Sequence, residues 1–332
     1  MSDRDLQPEQ PVSLLTVISN PGKADAMARF ALQQGARRAC HFFAHGTVPG
    51  HLLSLLGLSG VRREMITLTV PQEEDSALMD SLCEHFQIGR ELHGIAFLHR
   101  PDTGAVNSPD FYLIAVIVNE GEGEYVVESA RRCHPVGASI LKAMGTADHS
   151  RRTFDFEIVP QKEIVLIVTP ASHIEAIYSA LYHELHSDQP GRGILFALAL
   201  ERVAGLLDMA PDCENGDQEE VAAMPREADA QKWVALFTVS DRGKTAAIMD
   251  TVERSGGTGA TVLHCRQTDD ASGGWIDRLA HLEKEITLII TEADRARTIQ
   301  AELTAQARET GEKLDITQLD VSHFVKLSDL RD

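Results

Sequence analysis

Three stretches of the chain open in the same way. VSLLTVISN from Val12, FYLIAVIVN from Phe111 and WVALFTVSD from Trp233 are apolar runs rich in β-branched residues, each ending in a polar turn. Such runs predict buried strands. The turns at Asn20, Asn119 and Ser240–Asp241 lead to Gly22, Gly121 and Gly243, and then to a helical period. The three helical segments are KADAMARFALQQG, GEYVVESARRCHPVG and KTAAIMDTVERSGG. Each is expected to stop at its glycine, where a left-handed residue ends the helix. A second strand follows in RRACHFFAHGT, ASILKAMGT and GATVLHCRQT, leaving through Thr47, Thr146 or Thr268. After a long connection comes a third strand, in REMITLTV, QKEIVLIV and EKEITLII, with Glu64, Glu163 and Glu285 aligned. A second helix is expected in SALMDSLCEHF, HIEAIYSALYHEL and DRARTIQAELTAQAR, and a last strand in GIAFLHRP, GILFALALERVAGL and DITQLDVSHFVKL.

The predicted order is therefore strand, helix, strand, strand, helix, strand, repeated three times. A unit of this order packs both helices on one face of a four-stranded antiparallel sheet. The fold class expected is α+β, with three tandem ferredoxin-like βαββαβ units. The free sheet faces still carry apolar residues and need a cover. Three of them in one chain can cover one another, as an intramolecular pseudo-trimer; the alternative is three separate domains in a row. The units fall at 12–100, 110–207 and 232–327. The connection PDTGAVNSP between the first two is rich in turn formers. Residues 208–231 are acidic and weakly apolar, the composition of a flexible linker.

Composition narrows the function. The 332 residues are 43% hydrophobic and 24% charged, within the range of globular domains. The formal net charge is −19, and no basic run exceeds a pair. Nucleic acids bind through phosphate neutralisation by Lys and Arg, and anionic membranes attract basic segments, so neither is an expected partner. The first residues lack the basic and apolar parts of a signal peptide, and no run approaches a membrane span. The five cysteines, Cys40, Cys83, Cys133, Cys213 and Cys265, are widely spaced without Cys-x-x-Cys. That pattern suits free thiols in a reducing cytoplasm. No nucleophile–base constellation, Walker loop or His-Glu-x-x-His motif is present, and no enzymatic activity is expected.

The second unit resembles the P-II nitrogen-regulator family and its PII-like relatives. The likeness lies in VIVNEGEGEYVVESAR, GASILKAMGT, PQKEIVLIVTP and DQPGRGILFALALERVAGL. The first unit follows in ISNPGKADAM, FFAHGT and LHGIAF, and the third in SDRGKTAAIM, GATVLHCRQT and EKEITLII. The resemblance implies a signalling protein of nitrogen or carbon regulation. It implies units that assemble with their sheets turned inward. It also implies a small, anionic effector, a nucleotide among the candidates, bound in clefts between units. The long connection between the second and third strands (the T-loop) would dock onto a target protein. The ligand-binding turn before the last strand (the B-loop) maps onto Gly191, Arg192 and Gly193, and in the first unit onto His93 and Gly94. Lys142 and Arg202 are the supporting cations by family position, with Gly46, Thr47, Gly145 and Thr146 at the exits of the second strands. P-II proteins carry Gly-Asp-Gly-Lys-Ile in that turn, whereas Arg192 replaces the Asp and Ile194 the Lys; the third unit has Glu312, Lys313 and Leu314. The T-loop of the second unit has no tyrosine to modify. The competing reading is a structural or metal-tolerance-type trimeric ferredoxin-like protein that binds no nucleotide.

Two further patterns invite chemistry. His41 and His45 share a strand face by spacing, but no third ligand stands nearby, so a metal site is not expected. His264 and Cys265 face opposite sides. The aligned Glu64, Glu163 and Glu285 adjoin Arg63, Lys162 and Lys284 and read as exposed rim ion pairs, worth about 0–1 kcal/mol each.

Overall fold

The structure, a computed structural model, describes residues 11–47, 60–90, 93–101, 108–146, 152–153, 156–157, 160–186, 192–206, 232–268 and 283–328. The long connections expected at 48–59 and 269–282, and the linker 208–231, lie outside them.

Three blocks with the same element order are seen. The first is β1 (Val12–Ser19), α1 (Ala24–Gln33), β2 (Arg38–Thr47), β3 (Gly60–Pro71), α2 (Asp75–Phe86) and β4 (Gly94–His99). The second begins with β5 (Phe111–Asn119), α3 (Gly123–Cys133) and β6 (Ala138–Gly145). Two short paired strands follow, β7 (Arg152–Thr153) and β8 (Phe156–Glu157), and then β9 (Gln161–Pro170), α4 (Ile174–Leu185) and β10 (Gly193–Leu200). After it comes β11 (Arg202–Ala204). The third block is β12 (Trp233–Asp241), α5 (Thr245–Arg254), β13 (Thr261–Thr268), β14 (Glu283–Glu292), α6 (Ala293–Thr310) and β15 (Asp315–Val321), followed by β16 (His323–Lys326).

Within each block the first strand lies between the fourth and the third, and the second flanks the third: β4-β1-β3-β2, β10-β5-β9-β6 and β15-β12-β14-β13. All these pairings are antiparallel, and the blocks join into one 14-stranded sheet. Alternation along the strands explains the layers. Leu15 and Val17 of β1 pack under α1 and α2, while Leu14 and Ile18 point the other way. Each block has its own helix-side core. The opposite faces share a single cluster drawn from all three blocks, including Leu14, Phe42, Leu113, Leu141, Ala235 and Leu263. The apolar faces thus cover one another inside one chain.

Two local expectations need correction. The helix α3 ends at His134, not at a glycine: His134 is extended and precedes Pro135, because proline disfavours the helical region for the residue before it. The last strands of the second and third blocks also break, at Glu201 and Ser322. Beyond the break β11 and β16 leave their own block and pair with β4 and β10 of the preceding one.

Candidate functional site

A threefold repeat of polar chemistry surrounds the start of each first helix. Glu64 Oε2 accepts the backbone N–H of Ala24 at 3.0 Å, and Glu163 Oε2 that of Gly123 at 2.8 Å. In the third block Thr245 Oγ1 donates to Glu285 Oε2 at 2.7 Å. The rim ion pairs expected from sequence are therefore replaced by helix-terminus contacts, where a carboxylate meets both the orphan N–H groups and the positive end of the helix dipole. The adjacent bases instead hold the turn after the first strand. Arg63 donates to Asn20, Lys162 Nζ to Asn119 Oδ1 at 2.8 Å, and Lys284 pairs with Asp241.

The second strands form a closed head-to-tail ring. The end of β2 pairs with the start of β6 (Ala44↔Leu141, Gly46↔Ser139). The end of β6 pairs with the start of β13 (Thr261↔Gly145). The end of β13 returns to the start of β2 (Arg266↔His41, Thr268↔Ala39). The threonines assigned to a ligand sit on these junctions. Thr47 Oγ1 donates to Ala138 O at 3.4 Å and accepts from Arg131 Nη2 at 3.0 Å. Thr146 exchanges bonds with Ala260, donating to its O at 3.1 Å and accepting its N–H at 2.8 Å. Gly46 leaves room for the Arg63 side chain, whose Cγ would lie 2.9 Å from an added Cβ; Gly145 does the same for Lys162 and Pro160.

Gly191 of the proposed binding turn lies outside the described residues. Gly193 and Gly94 have φ of +151° and +145°, and an added Cβ would meet Ile117 O at 2.0 Å and Ile18 O at 2.3 Å. Close approach of two strands accounts for these glycines without a phosphate. His93 precedes Gly94 in a turn, its N–H donating to Arg90 O at 3.1 Å. Of the predicted cations, Arg192 and Lys142 each face a carboxylate of the turn before α3. Arg192 Nη1 stands 3.7 Å from Glu122 Oε1, and Lys142 Nζ 2.8 Å from Glu120 Oε1. Arg202 does not join them. It reaches the first block, where its Nη2 donates to Asp80 Oδ1 at 2.7 Å.

Sequence reasoning missed the junction of the third block with the first, which collects reactive side chains. His41 is 7% exposed, and neither ring nitrogen has a hydrogen-bond partner. Asp25 Oδ1 is 3.8 Å from its Nδ1. Burial pushes the His41 pKa down; Glu64 and Asp25 oppose that, and Arg266 adds to it. The corresponding residues of the other blocks are Ile140 and Val262. Beside it the buried thiols of Cys40 and Cys265 contact each other, and that bond, followed by burial, pushes the Cys265 thiol far up. Arg38 pairs with Asp315 across the same junction. Nearer the chain's other inter-block contacts, His99 of the first block places Nδ1 2.8 Å from Ala199 O of the second, while its Nε2 is buried without a partner. Asp75 is fully buried, accepting from Ser13 at 2.7 Å and from Arg100 at 2.8 Å, and Arg100 also reaches Glu201 of the second block at 3.0 Å. Burial pushes the Asp75 carboxyl up, but the bonds from Arg100 and Ser13 outweigh it and hold the pKa below the usual value.

His41 is buried and His45 exposed, and His264 is exposed while Cys265 is buried. Among the described residues no group of three or more His, Cys, Asp or Glu is placed to hold a metal ion. Among them, too, no helix is long and apolar enough to cross a membrane.

No family matches the chain in a comparison with protein families, and no curated protein matches it. Among solved structures it is similar to a microcompartment protein from Desulfitobacterium hafniense DCB, at 15% identity over 64% of this chain and 96% of that one, with a TM-score of 0.20. A likeness that faint carries no argument about fold or function.

Proposed function

We propose that the chain is a PII-like regulatory protein: three ferredoxin-like units, 12–100, 110–207 and 232–327, folded as an intramolecular pseudo-trimer that binds a small anionic effector where units meet. The observation that carries this reading is the ring of second strands. It sets the end of each second strand, where the long connection departs, against the start of the next. An effector held there touches two units and the root of a connection able to dock a target protein, which is what coupling binding to signalling requires. Nucleotides head the candidate effectors.

The best-supported contact is Arg192. An anion in a protein of net charge −19 needs a local cation, because the whole-molecule field opposes it. Arg192 and Lys142 each face a carboxylate of one turn, and the 3.7 Å separation of Arg192 from Glu122 is longer than the 2.8 Å of Lys142 from Glu120 or the 2.7 Å of Arg202 from Asp80. Calorimetry against ATP, ADP and bicarbonate tests the reading. A charge-assisted contact is worth about 1.5–3 kcal/mol, so Arg192→Ala weakens the bound anion roughly ten- to a hundredfold. Glu122→Gln removes the internal competitor and strengthens it. Light scattering at the same concentrations gives a monomer near 36.4 kDa. Equal affinity of parent and Arg192→Ala for every ligand that binds rules the site out. A second reading, a ring with no effector, is favoured by one fact: Lys142, Arg192 and Arg202 each already face a carboxylate. Silence of the whole panel selects it.

A further inference from the structure

The three junctions of the ring share one register, so each serves as a control for the others. Arg266 lies opposite His41, His45 opposite Ile140 and Met144 opposite Val262. The residues one place earlier on each strand turn to the other face of the sheet. They are Ala44 with Ser139, Ala143 with Thr261, and Cys265 with Cys40. Ala44, Ala143, Cys40 and Cys265 all belong to the central apolar cluster. Two junctions thus carry an alanine and a hydroxyl residue at this point. The third carries two thiols, Cys40 2% and Cys265 5% exposed, in contact with each other.

A second difference accompanies the first. Three places before His41, Ile140 and Val262 stand Arg38, Gly137 and Gly259. Arg38 is partly buried and pairs with Asp315; Lys284, beside the same thiols, pairs with Asp241. The contact with Cys40, and then burial, push the Cys265 thiol up, while the charges of Lys284 and Arg38 oppose that. The junction with the thiols is therefore also the one with an added cation.

Two thiols in contact can be joined by a bond or by an ion, and the register separates these cases. Cys40 pairs with Gln267, which makes Cys265 its diagonal neighbour on the same face. Diagonal neighbours in an antiparallel pair have Cα atoms about 7–8 Å apart, whereas a disulfide needs about 4.4–6.8 Å. An ion between two thiolates needs only sulfurs about 4.5 Å apart, twice a metal–sulfur bond of about 2.3 Å. A structural zinc ion takes four ligands, and among the described residues no third His, Cys, Asp or Glu joins the pair. Thiolates select copper(I) among the soft ions, and its filled d shell accepts two ligands in line.

We infer that Cys40 and Cys265 form a two-coordinate copper(I) site that fastens the third block to the first. On binding, each thiol releases its proton to solvent and each sulfur donates an electron pair to the ion. Copper stays in its +1 state, so no oxidant or reductant takes part. The complex carries one negative charge, which Arg38 and Lys284 offset. Main chain joins the first block to the second and the second to the third, but not the third to the first. The ion supplies that missing link, and it does so whether or not an anionic effector binds elsewhere on the ring.

Anaerobic titration of the reduced full chain with copper(I), in competition with the chelator bicinchoninate, tests the site. The parent retains one more copper ion per chain than Cys40→Ser/Cys265→Ala. X-ray absorption at the copper edge shows two sulfur neighbours for that ion. The double variant carries the residues of the β2–β6 junction and keeps the fold by circular dichroism; should it not, Cys265→Ala, the residue of both other junctions, replaces it. Equal uptake by parent and variant overturns the site, as does copper bound through nitrogen or a third sulfur. Metal-free parent treated with oxidised glutathione keeps both thiols by mass spectrometry. A disulfide between Cys40 and Cys265 in that sample overturns the ion in favour of a bond.

Discussion

His41→Ile replaces a buried imidazole with the residue that the second block already uses at the same ring position. Two ring nitrogens without partners sit in a side chain only 7% exposed. An unsatisfied buried polar group costs about 1–3 kcal/mol, and isoleucine fills a similar volume without one. The variant is therefore more stable than the parent by about 1–2 kcal/mol at pH 7.5. The pH dependence sharpens the test. Burial holds the folded-state His41 pKa below its ordinary 6.5. Between that lowered value and 6.5 the unfolded chain binds the extra proton, so the parent loses stability as pH falls through this window. The variant has no such term, and its advantage widens below about pH 6.5. Asp25 limits the effect little, being 63% exposed and so well screened. Urea unfolding of both proteins at pH 7.5, 6.5 and 5.5 provides the measurement; other histidines contribute equally to both and cancel. A variant less stable than the parent, or parallel pH profiles, refutes the claim that this imidazole is unsatisfied and neutral.

Two further outcomes follow from the inter-block bonds. Thr146→Val leaves the N–H and O of Ala260 without their hydroxyl partner, and is expected to cost about 1–2 kcal/mol with a lower urea midpoint. Asp75→Asn weakens the bonds from Arg100 and Ser13 and costs about 2 kcal/mol at neutral pH; because the Asp75 carboxyl is held below its usual pKa, the difference between parent and variant shrinks as pH falls through the acidic range.

The strands and helices were legible because their signals are local. The run from Phe111 to Asn119 is too apolar and β-branched for anything but a buried strand, and the helical periods after Gly22, Gly121 and Gly243 begin where those glycines adopt φ near +85° to +90°. What the chain could not show by itself was the choice of partner. Arg202 and Phe324 sit in segments that read as continuations of β10 and β15, and only the neighbouring block's edge turns them into separate strands. Glu163 was visible as a repeated residue, but its partner, the N–H of Gly123, lies 40 residues earlier. The candidate site was legible only in part. Arg192 and Lys142 each face a carboxylate of the turn before α3, whereas Thr47 and Thr146 bond across the junctions between blocks, and His41 was visible in sequence only as one of a spaced histidine pair, since its burial depends on the block that brings Arg266 opposite it.

The closed ring of second strands changes what a single substitution can do. In an assembly of three identical chains, any residue placed at a junction is placed at all three, so an imidazole suited to one would have to suit every one. Here the three positions are separately encoded as His41, Ile140 and Val262. One junction can acquire a proton-sensitive or thiol-bearing character while the others remain inert. Because the three parts share a backbone, dilution cannot separate them, and whatever asymmetry has accumulated stays in a fixed order around the ring.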